Sequence, residues 1–454
     1  MNASPFAARV PLVRIDATDA GATARCGRTR FDLSRDFRLV PAGLESYAFA
    51  SWQPVHYDAM VVAACIEFAD RSSARPRHGW AREFQIRVPV HDVERWRDRS
   101  VVSTLTAVLQ HLTGDAWKFD FVRSRTGAPI PDAEVLALQF ETKAVIPFSD
   151  GLDSCAVAGL VGHDIGNRLL RVRMGSKAIG RPTRRDREPF AQVPYSVRAE
   201  GEASARSRGF KFAMIAAIAA SLCDADEIII AESAQGVFGP ALATTAHAYA
   251  DYRSHPLFTS KMTTFLGSLF KRSFRFSFPR LWHTKAETLR EYARIANESA
   301  LRSTRSCWMS QRLSSVEGVH RQCGVCAACM LRRLSLQAAG IAEDPRTYVC
   351  ENLHAPSLDV SAAPTFRHLT KAFRAYAFAG SQHLFQVAAL AHPSMRGTLA
   401  RHAVLVAECL DQSCDATKDL LASVLERHCA ELDCFLNHLG PQSFVNRWGG
   451  GSRG

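Results

Sequence analysis

The chain has 454 residues, of which 47% are hydrophobic and 22% charged, and a formal charge of +12. Such a composition fits a globular protein and excludes a disordered chain, a coiled coil or a collagen-like fibre, and the length allows more than one core. The basic excess favours anionic partners (nucleotides, nucleic acid or an acidic protein) without choosing among them.

Near the N-terminus, Asp16 and Asp19 occur with no apolar run after a basic start, so no secretory signal is expected. Residues 1–140 read as a small α+β module. Segments 84–90 and 117–121 alternate apolar and polar residues, as half-buried strands do, and 101–112 has helical spacing. Pro89 cannot donate to a ladder, which predicts an edge strand or a strand end there. Segment 129–131, with a proline at each end, reads as the linker into the next domain.

Residues 141–345 alternate strands and helices, the pattern of βαβ units around a parallel sheet. Predicted strands are 144–148, 169–174, 193–198 and 227–231. An Ala-rich helix is predicted over 210–223; its apolar run falls well short of the about 20 residues a membrane span requires. Thr284-x-x-Glu287 opens a helix reaching 297 with a capping-box pattern. Between them, 271–278 interleaves cations with aromatics. That suits an amphipathic strand with one face buried, and also stacking on single-stranded nucleic acid. Residues 346–454 read as a helical module, with helices at 366–378, 383–391, 398–410 and 417–439 and a flexible glycine-rich tail at 449–454.

Two clusters carry chemistry. Ser149-Asp150-Gly151-Leu152-Asp153-Ser154 stands between an apolar strand and a helix. Small residues admit an anion to the backbone, free N–H groups cradle it, and the helix N-terminus adds a favourable dipole. The serine hydroxyls can donate to phosphate oxygens, and Asp153 can hold Mg²⁺ or accept from backbone amides. The bland alternative is a strand–turn–helix with an N-cap serine. Downstream, Cys307, Cys323, Cys326 and Cys329 bring four thiols together in a chain whose 13 cysteines cannot all pair internally. With no sign of secretion they read as reduced thiols and metal ligands of a soluble cytoplasmic protein. Four thiolates suit a closed, structural tetrahedral zinc site. A redox Cys-x-x-Cys pair or chance clustering is the alternative. Arg305, Arg312, Arg321, Arg332 and Arg333 are near enough in sequence to offset the site's negative charge.

The loop resembles the Ser-Gly-Gly-x-Asp-Ser pyrophosphate loop of the N-type ATP pyrophosphatases. Asp150 stands where that family usually has the glycine in second position. A carboxylate there repels pyrophosphate unless a cation intervenes or it points away. Ser306-Cys307, then Cys323-Gly324-x-Cys326-x-x-Cys329-x-x-Arg332, is similar to the zinc site of 7-cyano-7-deazaguanine synthase. Thr284-Lys285-Ala286-Glu287 and Arg206-Ser207-Arg208-Gly209-Phe210 agree, and the resemblance covers about residues 143–340. The longer chain looks similar to the synthase-like proteins of bacterial antiphage operons of the Qat type.

The resemblance implies an α/β fold: a parallel-sheet, adenine nucleotide alpha-hydrolase-like core with a zinc-bound lobe. ATP would bind the loop residues Ser149, Asp150, Gly151, Leu152, Asp153 and Ser154, with Met174 and Gly175 presenting backbone to adenine. Arg206 and Arg208 would clamp phosphate or a carboxylate; Ser149, Asp153, Ser154 and Lys285 would serve catalysis, with Mg²⁺ and structural zinc. The implied reaction adenylates 7-carboxy-7-deazaguanine and releases pyrophosphate. Amide and nitrile formation follows, or transfer to an amine on a partner protein of the defence operon or on nucleic acid; no membrane is involved. Bland readings stand beside these: a solvated basic turn at Arg206 and Arg208, a plain capping box at Lys285 and Glu287, a simple turn at Met174 and Gly175. The rival class is a non-catalytic scaffold that senses nucleotide or binds nucleic acid, with Asp150 as the mark of lost turnover.

Overall fold

Alternating apolar strands and helices in the first two-thirds of the chain build two larger sheets, both parallel among the described residues. The computed structural model describes residues 10–19, 22–39, 52–76, 79–127, 141–174, 190–193, 195–202, 205–244, 249–310 and 313–449. The linker at 129–131, Gly175, Arg312 and the tail beyond Gly449 lie outside the described residues. The residues gather into two units, neither contiguous in the chain. One comprises Met1–Ser149, Asp164–Ile230 and Asp251–Phe278; the other comprises Asp150–His163, Ala231–Ala250 and Pro279–Gly454.

The first unit holds strands β1 (Leu12–Thr18), β2 (Thr29–Asp32), β3 (Phe37–Leu39), β4 (Glu83–Val90) and β5 (Ala116–Arg123). It continues with β6 (Ala144–Phe148), β7 (Leu169–Met174), β8 (Phe190–Val193), β9 (Tyr195–Val197), β10 (Glu227–Ile229) and β11 (Arg275–Ser277). The first sheet runs β2-β1-β4-β5 with every pairing parallel. This corrects the α+β reading of residues 1–140. Alternation along β4 and β5 registers a buried face and says nothing of strand direction. The helix Arg99–Thr113 returns the chain to make β5 parallel to β4. β4 is an inner strand, so Pro89 is not on an edge; it occupies the penultimate position, where the ladder is ending.

The second sheet runs β11-β10-β6-β7-β8, also all parallel. The strand expected over 193–198 divides: β8 joins this sheet, whereas β9 pairs antiparallel with β3. Along β6, β10 pairs with Ala144 and Val145, so Pro147 sits beyond that ladder. Both sheets share one apolar core, from Ile15 and Phe31 through Val145 and Leu170 to Phe265 and Phe274. Arg82, fully buried, joins Asp70 at 2.6 Å and Asp115 at 2.9 Å, and Asp70 also accepts from the Ser207 amide at 2.7 Å.

The second unit contains the helix Leu152–Ile165, the cysteine lobe and the C-terminal helices Lys371–Ala389, Arg396–Leu410 and Cys414–Leu439. Helices expected separately at 366–378 and 383–391 are one. Gly380 continues the helix because its bare Cα is needed: a Cβ there would fall 2.3 Å from the Val325 carbonyl of the cysteine lobe. No helix among the described residues is long and apolar enough to cross a membrane.

Chain order marks a crossover in the second sheet. From β6 the chain adds β7 and β8 on one side, then returns to add β10 and β11 on the other. The switch point therefore lies at the carboxyl end of β6, where such sheets bind ligands. The loop 149–151 leaves β6, Ser233 follows β10, and Lys285 follows β11.

Candidate active site and metal centre

Within the second unit the loop helix begins at Leu152, and the Cys155 amide donates to the Gly151 carbonyl at 3.1 Å. The Leu152 side chain packs with Ala156, Leu289, Tyr292 and Leu336, which leaves its backbone as the only part available to a ligand. Ser154 is buried in the first turn of the helix, while Asp150 is exposed. The Asp150 carbonyl accepts from the Arg305 amide at 2.7 Å, which ties the loop to the segment leading into Cys307.

Asp153 and Lys285 meet directly: Nζ lies 2.5 Å from Oδ2, with the two side chains only 9% and 14% exposed, Lys285 first. Ser233 Oγ lies 3.4 Å from Asp153 Oδ1 and 3.1 Å from Thr288 Oγ1. Arg280 Nε donates to that threonine oxygen at 3.3 Å, and Arg280 Nη1 pairs with Glu291 at 2.6 Å. Thr284 caps the helix Lys285–Ile295 in a complete capping box with Glu287. The structural and the functional readings of this motif therefore coexist. Ser233, Gln235, Thr288 and Arg280 were not singled out from sequence, because Ser, Gln and Thr carry no spacing signature of their own. The capping threonine was the only local cue.

Other expected residues lie in the first unit. Met174 ends β7. Arg206 pairs with Asp251 at 3.8 Å and lies 4.9 Å above the Trp80 ring, so its charge is already engaged. Arg208 opens the helix Arg208–Leu222 and is exposed, its guanidinium 5.2 Å from the Phe212 ring. The aromatic–cation segment is spent on packing. Phe274 is buried, Phe276 packs on the same core, Arg272 donates to the Ser221 and Ala225 carbonyls, and Arg275 pairs with Glu227. The amphipathic-strand reading of 271–278 holds.

The four cysteines form one cluster whose sulfurs all lie within 4.8 Å of one another. Cys323 and Cys329 sulfurs are 3.8 Å apart. That is about the sulfur–sulfur edge, ~3.8 Å, of a tetrahedron with 2.3 Å zinc–sulfur bonds. Backbone amides of Cys323, Val325, Cys326 and Met309 donate to cluster sulfurs at 3.2–3.4 Å, an arrangement suited to thiolates. Neighbouring thiols, Cys323 foremost, hold Cys307 well below its ordinary thiol range. Gly324, at φ +83, makes the turn between two ligands in a conformation other residues rarely take. The donor set fits zinc with no open position. Arg333 donates to the Cys350 and Glu351 carbonyls at 2.6 and 2.9 Å and also feels the Cys329 thiolate charge, as expected of an offsetting cation, while Arg332 pairs with Glu343 at 2.5 Å. Both brace the backbone around the cluster.

Residues 206–340 match the family model of the queuosine biosynthesis protein QueC. No curated protein matches the chain. The matched stretch includes Lys285 and all four cysteines, stops short of the C-terminal helices, and begins after the 149–154 loop. It supports a likeness to the QueC family over that stretch.

Proposed function

We propose that this chain is an ATP-dependent ligase that adenylates a carboxylate and releases pyrophosphate, with 7-carboxy-7-deazaguanine as the substrate. The observation that supports it best is the Asp153–Lys285 pair, held by Ser233 at the start of the helix that follows β6. In this reading the amides of Gly151 to Ser154 receive pyrophosphate oxygens, and the helix N-terminus favours the charge that develops on them. Ser149 and Ser154 donate hydroxyls, and Lys285 follows the leaving pyrophosphate while Asp153 holds its ammonium in place. Asp150 and Asp153 would hold Mg²⁺, which supplies charge neutralisation when bound. Arg208, exposed at the start of its helix, is a better phosphate or carboxylate ligand than Arg206, which pairs with Asp251, and Met174 would stand beside adenine. Zinc at Cys307, Cys323, Cys326 and Cys329 supplies folding free energy only.

The acyl-adenylate then meets ammonia, or an amine on a partner protein of a Qat-type antiphage system. The division into 1–140, 141–345 and 346–454 is retained as one of sequence modules, the outer two absent from simpler synthases. The test is the product of ATP turnover with Mg²⁺ and 7-carboxy-7-deazaguanine. AMP formed only with the deazapurine is the expected result. ADP, or no product from zinc-loaded protein, favours the non-catalytic nucleotide-sensing or nucleic-acid-binding scaffold.

A further inference from the structure

The C-terminal helix Cys414–Leu439 lies beyond the stretch matched by the family model, yet two of its side chains end on the segment that carries Lys285 and a third on Gln235, which holds the Lys285 amide. The capping box at that segment has few loose ends. Thr284 Oγ1 accepts from the Glu287 amide at 3.2 Å, and the Thr284 amide donates to Glu287 Oε2 at 2.8 Å. One hydroxyl proton and one carboxylate oxygen remain. The hydroxyl donates to Glu431 Oε1 at 2.5 Å, and Glu287 Oε1 lies 2.8 Å from Arg427 Nε. Arg427 Nη2 also donates to the Trp282 carbonyl at 2.7 Å.

The first amides of a helix have no acceptor within it. At Lys285 that acceptor is Gln235 Oε1, 2.8 Å away, and the amide nitrogen of Gln235 lies 3.4 Å from His428 Nδ1. Burial pushes His428 down to about 4, so the neutral imidazole meets the glutamine. Cap, first amide and acidic partner are thus each anchored, directly or through Gln235, by neighbours on one helix.

Docking this helix does not require the three polar residues. Leu421, Leu425, Leu432, Phe435, Leu436 and Leu439 already give it a buried apolar face. Glu431 Oε2 is buried without a partner, and the carboxyl sits beside Glu287. Desolvating it there costs stability that an apolar residue would not cost. A polar arrangement kept at such expense, converging on the lysine that pairs with Asp153, breaks a local rule of the kind that function accounts for.

We infer that Arg427, His428 and Glu431 are positioning residues for Lys285: they fix the first turn of its helix and so the ammonium that pairs with Asp153. The role in turnover rests on the proposed adenylation; the coupling of the two helices does not.

Hydrogen exchange of the full-length protein, read by mass spectrometry over 281–289, separates the two. Glu431→Leu removes the acceptor of the Thr284 hydroxyl, and Arg427→Met removes the partner of Glu287. Each is expected to speed exchange at the Lys285 and Glu287 amides about tenfold, which corresponds to about 1.4 kcal/mol. Exchange over Ala327–Ala339 should stay unchanged. Glu431→Gln keeps an acceptor and should behave as wild type. In turnover, Glu431→Leu should lower kcat for AMP formation more than it raises KM for ATP, with rescue by Glu431→Gln. Unchanged exchange at 284–287 in the variants overturns the inference. If Glu431→Leu does not fold, Arg427→Met decides. If wild type makes no AMP, the adenylation reading fails while exchange still decides the coupling.

Discussion

The cysteine lobe and the Lys285 site sit in the same unit and are assembled in opposite ways. All four sulfurs come from residues 307–329, and backbone amides of the same stretch satisfy them. The lysine site draws on 150–154, 233–235, 280–291 and 427–431, and its contacts join unlike groups: carboxylate to ammonium, hydroxyl to hydroxyl, amide to imidazole. A closed set of identical ligands has a single working arrangement, and removing one member leaves three charges without their ion. A network of unlike partners loses one link at a time. The first should therefore fail all at once, and the second in steps.

The largest effect belongs to the lobe. Cys326→Ser, or chelation of the wild-type protein, should cost stability on the order of 5 kcal/mol, because metal binding there is part of folding. Metal analysis should find about one zinc per chain in wild type and none in the variant, with a clear drop in melting temperature. Equal melting of metal-free and loaded protein would remove the structural role and erase the contrast with the lysine site.

Next in size, Asp153→Asn should slow AMP formation about 10²–10³-fold by freeing the Lys285 ammonium from its place. Zinc content should be unchanged, and melting should shift less than in Cys326→Ser. If Asp153→Asn turned over normally, the pair would be an internal ion pair of the fold, and the network would be no more functional than the arginines bracing the lobe.

The contrast also explains what could be read beforehand. Cys-x-x-Cys spacing reports a geometric necessity, since two ligands three residues apart reach one ion, so the lobe was visible in the sequence. The strands at 144–148, 169–174 and 227–231 and the capping box were visible for the same reason: each is a local pattern with a physical period. Strand direction in the first sheet was not, because alternation of buried and exposed residues is common to parallel and antiparallel strands. Nor was the continuity of Lys371–Ala389 through Gly380, where close approach to the Val325 carbonyl outweighs the glycine's poor helix propensity. Ser233, Gln235 and Glu431 were invisible individually. Nothing in a lone Glu on a C-terminal helix says that it will receive the proton of a threonine 147 positions away.

That glutamate offers the finest test of the stepwise behaviour. Burial, aided by the nearby Glu287 carboxylate and opposed by the Thr284 hydroxyl, Arg290 and Arg427, pushes the Glu431 carboxyl up to about 7. An unfolded glutamate titrates near about 4.3. Between those values the folded chain holds a proton that the unfolded chain has lost, so stability from this group is full below about 4.3 and falls as pH rises to about 7. Above that it is flat. Glu431→Gln keeps an acceptor for Thr284 and removes the titration. The variant should therefore gain on wild type as pH rises, by about 1 kcal/mol between pH 5 and pH 8 once partial solvent screening is allowed for. Thermal melts at the two pH values measure it. A difference between variant and wild type that is the same at both would mean Glu431 is ionised throughout, and Thr284 would then be donating to a carboxylate held by Arg427 and Arg290. In that case the step at this link would follow from loss of charge, and Glu431→Gln should loosen the Lys285 amide as Glu431→Leu does.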